Sequence, residues 1–182
     1  MAKETRYVAL LRGINVGGHR KIGKDQLAAV FSGAGFTRVQ TLLASGNVVF
    51  SAPEADEPTL QATIETALEE ELGYHVDVMV RTVDYICTLL DLDPFAEYEP
   101  VGAKFYVTFL STAPNEIPDL PVRLSDQGSE AVGLNDREFF AVSYKVEGSY
   151  GDFSKYLTQT FGKQPVTTRN WNTIAKIAAL RD

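Results

Sequence analysis

Tyr7-Val-Ala-Leu-Leu11 is an unbroken apolar run of strand length, and the elements that follow it decide the fold. Such a run suits a strand covered on both faces, in the middle of a sheet. From Gly23 to Gly35 the apolar residues Leu27, Val30, Phe31 and Ala34 recur at i, i+3, i+4 and i+7, the period of an amphipathic helix, with Gly33 and Gly35 as stops. Val39 to Phe50 reads as a hairpin turning at Gly46-Asn47. After a polar loop from Pro53 to Pro58, the residues Leu60, Ile64, Ala67, Leu68 and Leu72 mark a second helix closed by Gly73. His75-Val-Asp-Val-Met-Val-Arg81 then alternates as a strand with one face buried. The order β-α-β-β-α-β is the signature of a ferredoxin-like (α-β plait) domain, an antiparallel sheet with two helices on one face.

A second pass of the same kind occupies the rest of the chain. Asp84 to Leu92 reads as a short connecting helix. Lys104 to Ser111 is a strand with Phe105, Val107 and Phe109 on one face. Pro114, Pro118 and Pro121 interrupt the stretch where a helix would come next, because proline lacks the N–H donor and clashes inside a helix. Glu130 to Leu134 and Glu138 to Ser143 form a hairpin turning at Asn135-Asp136. Phe153, Tyr156, Leu157 and Phe161 outline a helix stopped by Gly162. Pro165 to Thr168 suits a short edge strand, and Trp171, Ile174, Ile177 and Ala178 outline the last helix. The expected class is α+β with tandem ferredoxin-like domains: residues 1–82, a connector over 83–103, and a second domain with a C-terminal helix over 104–182.

Composition agrees with a folded chain of this size. The 182 residues are 45% hydrophobic and 23% charged, ordinary globular usage, which excludes a disordered, collagen-like or disulfide-rich chain. The single cysteine, Cys87, falls on an apolar helical face and reads as core filler. No apolar run reaches the roughly 18 residues of a membrane span. Met1 to Arg6 leads straight into a strand without the apolar core of a signal peptide, so the expectation is a soluble cytoplasmic protein with no membrane partner.

The net charge of −7 is unevenly placed. Residues 1–40 carry seven basic and two acidic side chains, residues 41–100 carry one basic and thirteen acidic, and the remainder balances at nine each. An acidic chain disfavours nonspecific binding of duplex nucleic acid, yet a compact basic patch still acts within a Debye length of about 8 Å. Glu65, Glu69, Glu70 and Glu71 read as the wet face of a helix.

Three polar segments stand out. In Arg12-Gly-Ile-Asn-Val-Gly-Gly-His-Arg-Lys21, Gly13, Gly17 and Gly18 permit converging backbone N–H groups, while Arg12, Arg20 and Lys21 supply positive charge. The alternative is a glycine-rich turn with solvated basic neighbours. Its spacing matches neither the dinucleotide fingerprint nor the phosphate loop of NTPases, so no cofactor is expected. In Thr167-Thr-Arg-Asn-Trp-Asn-Thr173, Thr168 or Asn170 can cap the final helix, Arg169 sits near its positive end, and Trp171 offers a flat face or fills core. Ser45-Gly-Asn47 is the third, a hairpin tip. Two histidines and one cysteine give no metal-ligand cluster. His75 reads as a surface or edge residue, and Asp136 with Glu138 as a solvated pair. His19, beside the glycine loop, is the one candidate general acid or base.

The sequence resembles the bacterial family catalogued as domain of unknown function 1697. The resemblance lies in Tyr7-Val-Ala-Leu-Leu-Arg-Gly-Ile-Asn-Val-Gly-Gly18, Ser45-Gly-Asn-Val-Val-Phe50 and Thr167-Thr-Arg-Asn-Trp-Asn-Thr173. It implies tandem ferredoxin-like domains and no reaction, cofactor or catalytic residue. The proline-rich stretch 114–121 departs from the helix that relatives more often carry there.

The leading expectation is a binding protein with an anion site between the two domains. Arg12, Gly13, Asn15, Gly17, Gly18, Arg20, Lys21, Ser45, Asn47, Thr168, Arg169, Asn170 and Trp171 are its candidate residues. Arg12 and Arg169 would clamp a phosphate-bearing small molecule or a short single-stranded RNA, the latter without the aromatic signature of RNA-binding plaits. An enzyme acting on a phosphorylated or acyl substrate through His19 is one alternative. A protein-interaction module without a ligand, its protein partner unspecified, is the other.

Overall fold

Every second residue of the first strand, β1 (Glu4–Leu11), points to each face of a sheet, and both faces are covered. Tyr7, Ala9 and Leu11 join one core cluster, while Val8 and Leu10 on the opposite face are fully buried. That double burial is why the run is apolar without alternation. The computed structural model describes residues 4–16, 21–42, 46–124 and 128–182.

β1 is followed by α1 (Lys24–Gly33), β2 (Thr37–Leu42), β3 (Asn47–Pro53), α2 (Glu57–Leu72) and β4 (Val78–Thr82). The four strands form an antiparallel sheet in the order β2-β3-β1-β4. Leu27 and Phe31 of α1 and Leu60, Ile64 and Leu68 of α2 bury against its Tyr7–Leu11 face. Local chemistry sets the ends of α2. The Asp56 carboxylate accepts from Thr59 N at 2.9 Å, which holds its pKa below the usual carboxylate range, and Gly73 takes the left-handed conformation (φ 76°) that ends the helix.

The hairpin expected at Gly46-Asn47 does pair β2 with β3, but Asn47 already belongs to β3 and faces Leu42 in the register, so the turn comes before it; residues 43–45 lie outside the described residues. β2 also carries an irregular register between Thr37 and Gln40, where Arg38 adopts φ 48°. The Arg6 guanidinium explains how that kink is held. It donates to Arg38 O at 2.6 Å, Gln40 Oε1 at 2.8 Å, Ser51 Oγ at 3.3 Å and, from the chain's far end, Leu180 O at 3.1 Å.

The remaining elements are α3 (Val83–Leu92), β5 (Ala103–Leu110), β6 (Val122–Arg123), β7 (Ser129–Asn135), β8 (Glu138–Val146), β9 (Ser149–Tyr150), α4 (Ser154–Phe161), β10 (Val166–Asn170) and α5 (Trp171–Ala178). β10-β5-β8-β7-β6 is the order of a second antiparallel sheet, with β9 pairing onto β8. Phe153, Leu157 and Phe161 cover one face of it against Leu110, Phe139 and Ala141. Between β5 and β6 the described chain forms no helix, in keeping with Pro114, Pro118 and Pro121. Asp136 (φ 51°) turns β7 into β8, but Glu138 is wholly buried at the start of β8 and is not the solvated partner expected of it. Cys87 is half-buried and not fully packed in a core.

The molecule is therefore mixed α+β, with antiparallel sheets and five helices among the described residues. It groups into two compact units, residues 1–88 with 175–182, and residues 89–174.

Candidate functional site

The loop that leaves β1 is tied before it opens. Arg12 N donates to Asp77 O at 2.9 Å, extending the β1–β4 ladder one step beyond Leu11. Gly13 then takes φ 68° and Ile14 buries its side chain, which anchors the turn in the core. Asn15 (φ 57°) grips the far end of the loop, accepting from Ile22 N at 2.9 Å and donating to Ile22 O at 3.2 Å. Asparagine tolerates the left-handed conformation and its amide satisfies a donor and an acceptor together. Between these tied ends Val16 is 66% exposed and Lys21 is exposed. Gly17, Gly18, His19 and Arg20 lie outside the described residues.

Arg12 does not stand alone. Its Nη1 donates to Asp77 Oδ2 at 2.9 Å, with the arginine side chain 51% exposed. The other carboxylate oxygen, Asp77 Oδ1, lies 3.3 Å from His75 Nε2, and His75 Nδ1 faces Glu69 Oε2 at 3.6 Å. His75 is thus a surface residue, as its alternating segment implies, and closes a row Arg12–Asp77–His75–Glu69. Sequence reasoning missed Asp77. Its one signal was the two-residue spacing of His75 and Asp77; the strand expected over His75–Arg81 begins only at Val78, and Met79 and Arg81, expected on its wet face, are buried.

Ser45-Gly-Asn47 adjoins this loop. Leu11 N donates to Gly46 O at 2.8 Å, and a Cβ on Gly46 (φ 74°) would stand 3.0 Å from Leu11 Cβ and 3.4 Å from Ile14 Cβ. Only glycine fits that approach. Asn47 turns inward, fully buried, and donates to Leu42 O at 3.0 Å, so it closes the β2–β3 connection from inside. Ser45 lies outside the described residues.

The third segment is built differently from its expected role. Thr168 in β10 faces Thr108 across the ladder, their hydroxyls 2.7 Å apart. Arg169 is 6% exposed, and its Nη1 donates to Thr167 Oγ1 at 2.7 Å and Thr168 O at 2.9 Å. Burial pulls its pKa down to about 10, which still leaves a cation at neutral pH. The expected clamp therefore pairs an exposed guanidinium, Arg12, with a buried one. Asn170 does cap α5, accepting from Asn172 N at 2.9 Å. Trp171 packs edge-on against Phe95 (5.2 Å between centroids) and Phe140 (6.0 Å), a filler of an aromatic cluster.

Among the described residues no group of His, Cys, Asp and Glu is arranged to hold a metal, and no helix is long and apolar enough to cross a membrane. Fold and loop together define a small mixed α+β protein with antiparallel sheets and, at the end of a central strand, a loop whose described residues Arg12, Gly13, Val16 and Lys21 are exposed. The chain belongs to the family described as Protein of unknown function (DUF1697), whose model matches residues 4–140. That span holds the Arg12 loop and Ser45-Gly-Asn47 and ends before Thr167. Among solved structures the chain is similar to a conserved bacterial protein from Streptococcus pneumoniae, at 18% identity over 99% of this chain and 100% of that one, with a TM-score of 0.66. At that identity the likeness speaks for the fold alone. No curated protein matches the chain.

Proposed function

We propose that this protein binds an anion, the phosphate group of a small molecule, at the Arg12–Lys21 loop of its first unit. The observation that carries the reading is the pair of hydrogen bonds between Asn15 and Ile22, which ties the loop's ends and leaves Arg12 and Lys21 exposed at its two sides. A loop closed in advance has less entropy to lose when it receives a ligand. The Asp77 bond uses Nη1 of a guanidinium that carries five N–H donors, so it orients Arg12 while leaving an edge for a second anion. An exposed ion pair is worth about 0–1 kcal/mol, so a phosphate also competes with Asp77 at little cost. The reading rests on Arg12 and Lys21; Arg169, buried and bonded to Thr167 and Thr168, and Trp171, packed against Phe95 and Phe140, are not called on.

The same reading takes both units as ferredoxin-like plaits. Its support is the strand order, β4-β1-β3-β2 in the first sheet and β10-β5-β8-β7 in the second, with the proline-rich stretch 114–121 where the second unit's first helix would stand. A cytoplasmic location belongs to the reading too.

The test is a thermal-shift series with sulfate, pyrophosphate, a nucleoside triphosphate and an oligouridylate. At 100 times its dissociation constant a ligand stabilises by about 2.7 kcal/mol, a rise of roughly 5–10 °C for a chain of this length. Arg12→Ala is expected to abolish the rise while shifting the unliganded midpoint by no more than about 3 °C. A response to the oligouridylate alone would move the ligand class to single-stranded RNA. No response to any member of the panel overturns the anion site and favours a protein-interaction module.

A further inference from the structure

We infer that anion binding at the Arg12 loop is coupled to protonation of His75, with Asp77 as the group that both cations share. The inference rests on the reading of that loop as an anion site and concerns its regulation.

The geometry is a competition. Asp77 offers one oxygen to Arg12 Nη1 at 2.9 Å and the other to His75 Nε2 at 3.3 Å. Among the described residues the charged groups facing the imidazole are Glu69 from α2, 3.6 Å from Nδ1, and Asp77 ahead of β4; Arg12, just past the end of β1, faces Asp77 in turn. A neutral imidazole carries a proton on one nitrogen only, so it meets one of its two carboxylates as a bare acceptor. Asp77 then has Arg12 as its full positive partner, and an incoming anion competes with that carboxylate for the guanidinium. The imidazolium donates from both nitrogens and brings a unit charge to Asp77. The carboxylate's pull on Arg12 is divided, the local potential turns more positive, and the guanidinium is released toward the loop. Anion affinity therefore rises as the pH falls through the range in which histidine side chains gain their proton.

By reciprocity, a bound anion draws Arg12 away from Asp77 and favours the protonated imidazole to the same degree. The row is half-exposed, so its coupling is that of a surface ion pair, roughly two- to five-fold in affinity.

Sulfate is the probe, since it stays a dianion from pH 5.5 to pH 8. Its affinity for the wild-type protein should be roughly two- to five-fold tighter at pH 5.5 than at pH 8. His75→Gln should flatten that dependence. Asp77→Asn should bring the affinity at pH 8 up to the pH 5.5 level. In the ligand-free protein, ring 15N spectra at pH 6.5 should show a larger protonated fraction of His75 in Arg12→Gln than in wild type, because Asp77 has lost its competing partner. Backbone amide spectra of each variant verify that it is folded. A pH dependence that survives His75→Gln and disappears in His19→Gln overturns the inference and assigns the proton to the loop histidine. A protonated fraction unchanged in Arg12→Gln overturns it as well. Sulfate binding with no pH dependence defeats the coupling and leaves the anion site standing, whereas no sulfate binding at any pH defeats both.

Discussion

The Asn15 side chain holds both backbone polar groups of Ile22, accepting from its N–H at 2.9 Å and donating to its carbonyl at 3.2 Å, across seven residues of chain. Asn15→Ala removes both bonds and leaves an alanine at φ 57°, a conformation costly for a residue with a Cβ and no local hydrogen bond. The expected loss is about 1–3 kcal/mol, or roughly 2–10 °C in thermal midpoint. Asn15→Asp keeps the bond from Ile22 N and loses the donation, so it should fall between wild type and Asn15→Ala. Thermal unfolding of the three proteins gives the order, and equal midpoints for wild type and Asn15→Ala would contradict the tie.

Arg169 is held within its own strand by Thr167 Oγ1 and Thr168 O, and it is buried. Arg169→Ala should cost about 2–4 kcal/mol through lost packing and hydrogen bonds. It should leave sulfate affinity at the Arg12 loop unchanged. Urea unfolding and a sulfate titration on the same variant separate the two effects. A stable Arg169→Ala protein that no longer binds sulfate would restore Arg169 to the site.

Tyr98 donates its phenol proton to Glu130 Oε1 at 3.0 Å. Burial, and then that bond to a carboxylate, raise its pKa from the ordinary 10 to about 12. A raised folded-state value means the contribution is fully present below pH 10 and is lost as pH climbs toward 12, where the unfolded phenol has already released its proton. Urea midpoints should therefore fall with pH above 10, and fall less in Tyr98→Phe. At neutral pH that variant should be about 0.5–1.5 kcal/mol less stable than wild type. Tyr144, whose hydroxyl lies 3.3 Å from Glu130 Oε2 and whose pKa is also raised by burial and by Glu130, should keep part of the alkaline slope.

Much of the architecture was legible in the residues because burial has a local period. Tyr7–Leu11 reads as a doubly covered strand and is one; Leu60, Ile64 and Leu68 read as one helical face and are buried together. Asn170 as a cap and Gly73 as a helix stop follow from side-chain and backbone chemistry within a few residues, so sequence alone determined them. The partner of each charge was decided elsewhere. Asp77 reaches Arg12 across a sequence separation of 65, and Arg6 reaches Leu180 across 174, because the β1–β4 pairing and the course of the C-terminus bring them together. Arg169 was expected to clamp a ligand and Glu138 to be solvated, yet both are buried: Arg169 on the inward side of β10's alternation, and Glu138 at the start of β8, whose first six residues are buried on both faces. Periodicity reports which face a residue occupies. Only the tertiary structure says what that face meets, and for a charged side chain the meeting decides whether it is a ligand contact, a strut or one end of a shared ion pair.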